Sequence, residues 1–141
     1  MAQKFTLDIV TPEASLYSKE VEMVVLPGKD GDFGVLELHA PVIASLRPGV
    51  VRVFAGGSIK ERILVTGGFV EVNSERCTVL ATLAYNFNDV SRKGLEERLE
   101  VIRKIHRDAS DEHSKQKAEE EVQLAEAIIE AFISEQDQWQ K

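Results

Sequence analysis

Glycine and proline lie almost entirely in the first part of this 141-residue chain. All four prolines and eight of the nine glycines precede Asn86, and the remaining glycine is Gly94. Glycine and proline both weaken helices, and they punctuate turns between strands. Beyond Asn86 the chain is rich in Glu, Lys, Arg, Ala and Leu, which favour helices. The sequence therefore predicts two domains, residues 1–87 built from strands and residues 88–141 built from helices.

The first part shows the alternation of short strands. Phe5, Leu7 and Ile9 alternate with polar residues, and glycine pairs at 56–57 and 67–68 separate later apolar runs. Turn signals recur about every 8–12 residues, a spacing typical of a β-sandwich or barrel. Many runs are apolar on both faces, which favours two packed sheets over one open sheet. We expect an all-β sandwich.

The second part shows two helical stripes of apolar residues. Asp89 or Ser91 can cap the first helix, and a short polar segment follows it. The connection is short, so we expect an antiparallel two-helix hairpin. The seam is predicted to contain Leu95, Leu99, Ile102, Ile105, Ala118, Val122, Ala125, Ile129 and Phe132.

Charge and cysteine content narrow the classes of function. The net charge of −7 argues against nucleic-acid binding, which depends on clustered Lys and Arg. The single cysteine, Cys77, cannot form an internal disulfide and suits a reducing compartment. No stretch resembles a signal peptide or reaches the length of a membrane span, so we expect no direct membrane insertion. The three histidines lack ligand-like spacing, so no metal or other cofactor is expected.

The segment from Leu26 to Gly49 contains four glycines and three prolines in 24 residues. It holds no reactive nucleophile. No helix is predicted to follow Gly34 and no Gly-Lys-Ser/Thr motif is present, so we do not expect a phosphate-binding loop. Two interpretations remain open. The glycines either form ordinary hairpin turns or shape a surface that binds a partner. His39 likewise either caps a turn before Pro41 or lies at an interface.

Two motifs carry a family resemblance. GDFGVLELHAPVIASLRPGVVRV is followed by ILVTGGFVEVNSERCTVLA and then by the helical part. In this order and spacing they resemble the epsilon subunit of the F-type proton-translocating ATP synthase, over essentially the whole chain. The resemblance implies a sandwich of about ten strands followed by a two-helix hairpin.

The resemblance also implies a function and two partner-binding sites. It implies a non-catalytic central-stalk subunit that turns with the gamma subunit and the ring of membrane-embedded subunits, at the cytoplasmic face of a bacterial inner membrane. By residue matching, the gamma subunit would contact His39, Ala40 and Ile43. The membrane ring would contact the loop that contains Gly31, Asp32 and Phe33.

The helical part resembles a regulatory element that, in some members, hinders ATP hydrolysis and contacts the catalytic alpha and beta subunits. Some members bind ATP there through an [IL]-D-x-x-R-A motif. Val90 and Ser91 stand where that motif opens and Gly94 where its arginine would fall, so we expect no nucleotide binding. The last helix is acidic, so inhibition would depend on the first helix.

Three hypotheses from different classes follow: a rotor and coupling subunit, a module whose main task is conformational inhibition, and a small β-sandwich enzyme. The first is favoured by the resemblance. The third requires a convergent acid–base or metal set, and the sequence provides none.

Overall fold

The computed structural model describes residues 4–36 and 40–139, except for the side chain of Trp139. Ten strands and a short 3-10 helix, Phe87–Asp89, precede two α-helices. The strands are β1 (Phe5–Val10), β2 (Ser15–Val21), β3 (Met23–Gly28), β4 (Gly31–Leu36), β5 (Val42–Leu46), β6 (Gly49–Ala55), β7 (Ser58–Val65), β8 (Gly68–Val72), β9 (Arg76–Ala81) and β10 (Ala84–Asn86); the helices are α1 (Arg92–Asp108) and α2 (Glu112–Trp139). The predicted fold class, a ten-stranded sandwich followed by a helical hairpin, is confirmed.

Hydrogen bonds connect all ten strands in the order β10-β7-β6-β3-β5-β8-β9-β1-β2, with β4 paired to β3. Strand β3 joins the two halves of the sandwich. Its residues Met23, Val24 and Val25 pair with β6, whereas Gly28 at its end pairs with Leu46 of β5. The pairings are antiparallel except for β1 with β9. The sandwich is therefore one sheet folded upon itself.

Alternate residues of the strands form a single apolar core. Leu7 and Ile9 of β1 are fully buried, as are Val70 of β8 and Val79 of β9. Their sequence neighbours point to the opposite face, because successive side chains of a strand alternate. Burial of each such side chain contributes about 1.5–3 kcal/mol, so the core is the main source of stability of this unit.

The chain folds as two compact units, Met1–Phe87 and Asn88–Lys141. In the second unit, Ser91 caps α1: its Oγ accepts a hydrogen bond from the backbone N–H of Gly94 at 3.0 Å. The Asp111 carboxylate caps α2, because Oδ1 accepts from the backbone N–H of Ser114 at 2.8 Å and Oδ2 accepts from its hydroxyl at 3.0 Å. A side-chain cap closes the start of each helix.

The seam of the hairpin differs from the prediction at one position. Leu99 of α1 and Ala118 and Ala125 of α2 are buried, but Ile105 is 55% exposed. At about 100° per residue, position 105 lies well to one side of the stripe that runs through residues 95, 99 and 102, whereas position 106 continues it. The structure agrees, since His106 is half-buried and Ile105 faces solvent.

Candidate partner-binding surface

Three of the predicted site residues, Gly31, Asp32 and Phe33, begin β4 directly after the turn that joins it to β3. Gly31 pairs with Gly28 across the turn and has φ of +138°, a region that favours glycine. A Cβ on Gly28 would lie 2.5 Å from the carbonyl oxygen of Gly31 and 2.9 Å from the Phe33 ring, so the turn closes only without a side chain there. The Phe33 ring is half-buried and packs against the apolar core.

Asp32 belongs to a cluster of charged groups, which we call the Asp32 cluster: Asp32, Arg47 and Arg52. The Oδ1 atom of Asp32 lies 2.5 Å from Nη2 of Arg47, and its Oδ2 atom lies 3.3 Å from Nη1 of Arg52. Burial opposes ionisation of Asp32. The hydrogen bonds and charges of the two arginines outweigh it and hold the pKa of this carboxyl below its usual value. The carboxylate is therefore ionised at neutral pH and engaged at both oxygens.

Backbone hydrogen bonds attach this turn to the end of β5. The N–H of Lys29 donates to the carbonyl of Ser45 at 2.9 Å, and the N–H of Arg47 donates to the carbonyl of Pro27 at 3.0 Å. The Arg47 side chain adds a further bond, because its Nη1 donates to the carbonyl of Gly28 at 2.5 Å. The turn and the β5–β6 connection form one hydrogen-bonded corner.

The structure describes two of the three predicted gamma-binding residues, Ala40 and Ile43. His39 lies outside the described residues. Ala40 is exposed, and Ile43, near the start of β5, is 75% exposed. Gly31, Asp32 and Phe33 begin β4 and lie near the Leu46 end of β5, because Gly28 pairs with both Gly31 and Leu46, whereas Ala40 and Ile43 lie at or just before the Val42 end of β5. The two predicted sites therefore lie near different ends of β5.

Exposed apolar residues extend the surface beyond Ile43. Phe69 of β8 is 55% exposed and Leu80 of β9 is 42% exposed. Phe69 pairs with Ser45 on one side and with Leu80 on the other, and Ile43 lies diagonally across from Phe69 on the same face. We call Ile43, Phe69 and Leu80 the outer patch. Phe69 and Leu80 were not among the residues predicted from sequence, although their alternation with buried Val70 and Val79 places them on the outer face.

Asp8 belongs to a second charged cluster on the sandwich, and the buried thiol of Cys77 lies near its carboxylate. Asp8 is buried; it accepts a hydrogen bond from the Ser18 hydroxyl at 2.6 Å and forms an ion pair with Arg76. Cys77 lies in the core, where burial, and secondarily the charge of Asp8, raises the pKa of its thiol to about 12. The thiol is therefore protonated at neutral pH, unlike an activated nucleophile.

Two clefts lie on the helical hairpin. One, of about 470 Å³, contains Arg103, His106 and Arg107 of α1 opposite Glu119 and Glu126 of α2. Arg103 is already paired with Glu100 at 3.1 Å and with Glu126 at 3.2 Å. The other, of about 440 Å³, is mainly apolar and contains Leu99, Ile129 and Ile133. The formal charges of the first cleft balance, since it contains the two arginines Arg103 and Arg107 and the two glutamates Glu119 and Glu126.

The described part of the chain shows neither a metal-ligand cluster nor a membrane-spanning helix. In residues 4–36 and 40–139, no three His, Cys, Asp or Glu side chains gather as a group that could hold a metal ion. Neither helix there is long and apolar enough to cross a membrane.

Residues 4–87 match the family model of the ATP synthase delta/epsilon chain β-sandwich domain. The chain is 41% identical over 131 residues to the ATP synthase epsilon chain of Rhodospirillum rubrum, and the match covers 93% of this chain and 98% of the relative. It is 40% identical over 131 residues to the epsilon chain of Paramagnetospirillum magneticum, with the same coverage.

Solved structures resemble the chain in fold. A chain of the Euglena gracilis mitochondrial ATP synthase, from a structure of OSCP, F1 and the c-ring, superposes with a TM-score of 0.70 at 22% identity, covering 93% of this chain and 80% of that one. A chain from the central stalk and c-ring of the Tetrahymena thermophila mitochondrial ATP synthase gives a TM-score of 0.63 at 15% identity, covering 92% and 97%.

Proposed function

The chain belongs to the ATP synthase delta/epsilon chain family, and from this premise we propose that it is the epsilon subunit of a bacterial F-type ATP synthase. In this role it turns with the gamma subunit and the membrane ring as part of the central stalk, and couples proton translocation to ATP synthesis. It catalyses no reaction itself. It is held peripherally at the cytoplasmic face of the inner membrane through the complex. The observation that carries the proposal is the match over nearly the full length of bacterial epsilon chains.

We assign the two ends of β5 to the two partners. The gamma subunit contacts His39, Ala40 and Ile43, and the ring contacts Gly31, Asp32 and Phe33 at the start of β4. Support for the gamma site comes from the outer patch, because large apolar side chains grouped on an otherwise polar outer surface are typical of protein interfaces. Glu71, which pairs with Ile43, supplies a polar neighbour at the edge of this patch.

The test is binding of the full chain to purified gamma subunit from the same organism. We expect the unmodified chain to bind, and Ile43→Glu or Phe69→Glu to weaken binding by about tenfold or more, because central apolar contacts dominate interface energy. Leu16→Glu is the matched control: Leu16 is 52% exposed on β2, outside the outer patch, and its replacement should leave binding unchanged. Failure of the unmodified chain to bind gamma would refute the proposed function.

A second function, regulation of ATP hydrolysis, is favoured by the outer surface of α1. Val101 is 61% exposed and Ile105 is 55% exposed, one helical turn apart, on a helix that also carries six Lys and Arg residues between 91 and 107. We propose that this face of α1 docks on another subunit and slows hydrolysis.

The regulatory proposal predicts that deleting residues 90–141 raises ATP hydrolysis by the assembled enzyme. Replacing Val101 and Ile105 together by Glu should produce a similar increase. Leu124→Glu serves as the control, because Leu124 is 40% exposed but lies on the acidic helix α2. Hydrolysis rates that do not change on deletion would exclude this role.

A further inference from the structure

Strands β2 and β7 each leave part of one edge without a strand partner. Within the described residues, β2 ends the hydrogen-bonded order and pairs with β1 alone. β10 is three residues long and covers only residues 63–65 of β7. In the part of the chain that the structure describes, the first half of β7 therefore has β6 as its single neighbouring strand. At these two edges the backbone hydrogen bonds of the sandwich end.

Three side chains bridge the two edges. The Tyr17 hydroxyl donates to Oε1 of Glu61 at 3.2 Å, and Nζ of Lys19 donates to the same oxygen at 3.2 Å. The Lys19 Nζ atom also lies 5.1 Å from the centroid of the Tyr17 ring, within the range of a cation–π interaction. Tyr17 and Lys19 belong to β2, whereas Glu61 belongs to β7. We call Tyr17, Lys19 and Glu61 the seam cluster.

An irregularity in strand pairing directly precedes the seam cluster on both strands. In β2 the register with β1 shifts so that Leu16, just before Tyr17, is an extra residue. In β7 the register with β6 shifts so that Lys60, just before Glu61, is an extra residue. An extra residue of this kind bends a strand and re-aims the side chains beside it. Both strands are therefore bent at the place where their side chains meet.

The seam cluster lies on the core-facing side of both strands. The Tyr17 ring is half-buried and packs against the apolar core, and Glu61 pairs with the buried Val53. Burial, followed by the charge of Glu61 and the hydrogen bond to it, raises the pKa of Tyr17 to about 12. The hydroxyl therefore remains protonated at neutral pH and keeps its role as a donor to Glu61.

We propose that the seam cluster is a latch that holds β2 against β7, and that β2 is the strand of the sandwich that opens locally when the latch is released. Val21 is the only buried residue of β2, whereas Phe5, Leu7 and Ile9 of the neighbouring β1 are all buried. Separation of β2 therefore exposes little apolar surface, as is typical of segments that open locally. The latch is a property of the sandwich itself and does not depend on the partners of the chain.

Amide hydrogen exchange of the full chain, followed by mass spectrometry at low concentrations of denaturant, separates local from global opening. Local opening exposes little surface and depends weakly on denaturant, whereas global unfolding depends on it strongly. In the unmodified chain we expect β2 to exchange by local opening, and β8 and β9 to exchange by global unfolding. A denaturant dependence of β2 as strong as that of β8 and β9 would overturn the inference.

Removal of the latch should accelerate the exchange of β2. We expect Glu61→Ala to raise the exchange rate by about threefold to tenfold and Tyr17→Phe, which keeps the ring, by about threefold, as for partly exposed charged hydrogen bonds. Tyr17→Phe should add nothing in a chain that already carries Glu61→Ala, because the same hydrogen bond cannot be lost twice. Glu20→Ala is the matched variant: it removes an exposed carboxylate from the opposite face of β2 and should change the rate by less than about twofold. Unchanged exchange of β2 in Glu61→Ala, or additive effects in the double variant, would refute the latch.

Val70→Ala is the control for a loss of overall stability. Val70 is fully buried in β8, and its packing should remain when β2 alone opens. The variant should therefore accelerate the exchange of β8 and β9 and leave the local exchange of β2 unchanged. Equal acceleration of β2 by Val70→Ala and Glu61→Ala would show that the seam cluster contributes only to overall stability, and the inference would fail.

Discussion

The guanidinium of Arg62 stacks on the ring of Phe87, with its Cζ atom 4.5 Å from the ring centroid. Arg62 belongs to β7, and Phe87 begins the 3-10 helix that follows β10. Phe87 is the last residue of the unit Met1–Phe87, which we call the β-unit, and it is only 6% exposed. Its buried ring anchors the end of the β-unit before the chain continues to the helices.

Phe87→Ala should lower the free energy of unfolding of the β-unit by about 3 kcal/mol, because the substitution removes a buried ring and its cation–π partner. Tyr85→Ala is the control, since Tyr85 is 43% exposed on the neighbouring strand and should cost less than about 1 kcal/mol. Amide hydrogen exchange of β7 in the full chain measures both. Equal losses of protection would contradict the anchoring role of Phe87.

Gly68→Ala should destabilise the sandwich by about 2 kcal/mol or more. Gly68 has φ of +142°, and a Cβ there would lie 2.0 Å from the carbonyl oxygen of Leu80. At Gly34 the nearest atom to an added Cβ is the Val24 carbonyl oxygen at 4.0 Å, so Gly34→Ala should be tolerated. Thermal unfolding of the two variants tests the difference, and a similar melting temperature for both would refute it.

Asp111 should make the stability of α2 depend on pH in the acid range. The hydrogen bonds that its carboxylate accepts, first from the backbone N–H and then from the hydroxyl of Ser114, lower the pKa of this group. A lowered pKa contributes stability above the ordinary Asp pKa of about 3.9, and this contribution is lost as pH falls through the folded-state value.

Asp111→Ala should therefore reduce helix content at neutral pH, and its difference from the unmodified chain should vanish in strong acid. Asp111→Asn is the matched variant, because Asn also caps helices but does not titrate. It should retain most of the helix content without the acid dependence. Circular dichroism as a function of pH measures all three chains, and a difference that persists in strong acid would exclude the titration of Asp111 as the cause.

Cys77 should resist thiol reagents while the chain is folded. Burial, followed by the nearby charge of Asp8, raises the pKa of the thiol to about 12, so almost no thiolate forms at mildly alkaline pH. Reaction with a chromogenic disulfide reagent should be negligible in the native chain and rapid in denaturant. Rapid labelling of the native chain would show that β9 opens far more readily than its burial indicates.

The sequence was sufficient to predict features that depend on neighbouring residues. Alternation in β1 and the glycine pairs between later strands indicated the sandwich, and Ser91 was one of two candidates for the cap of α1. These patterns are local, because a strand alternates with a period of two and a cap bonds within one turn. The predicted helical stripe was wrong where it included Ile105, since His106 continues the stripe instead.

The Asp32 cluster could not be predicted in the same way. Asp32 and Arg47 are 15 residues apart, and they meet only because Gly28 pairs with Leu46 and places the two turns side by side. The outer patch could not be predicted from the sequence for a related reason. Phe69 and Leu80 alternate with buried valines, so both faces of their strands carry apolar residues. Such a strand occurs both where the face opposite the core is covered by another element and where that face is exposed to solvent. Only the pairing of β8 with β5 and β9 shows which faces lie outward.

The parallel pair of β1 and β9 links Leu7 to Cys77, seventy residues later in the chain. During synthesis the β1–β2 hairpin leaves the ribosome early, yet one side of β1 has no partner until β9 has emerged. Such distant pairings slow folding, because a long loop must close before the contact stabilises anything. The sandwich therefore cannot be completed before β9 has been synthesised, and the nascent hairpin carries an unpaired edge until then.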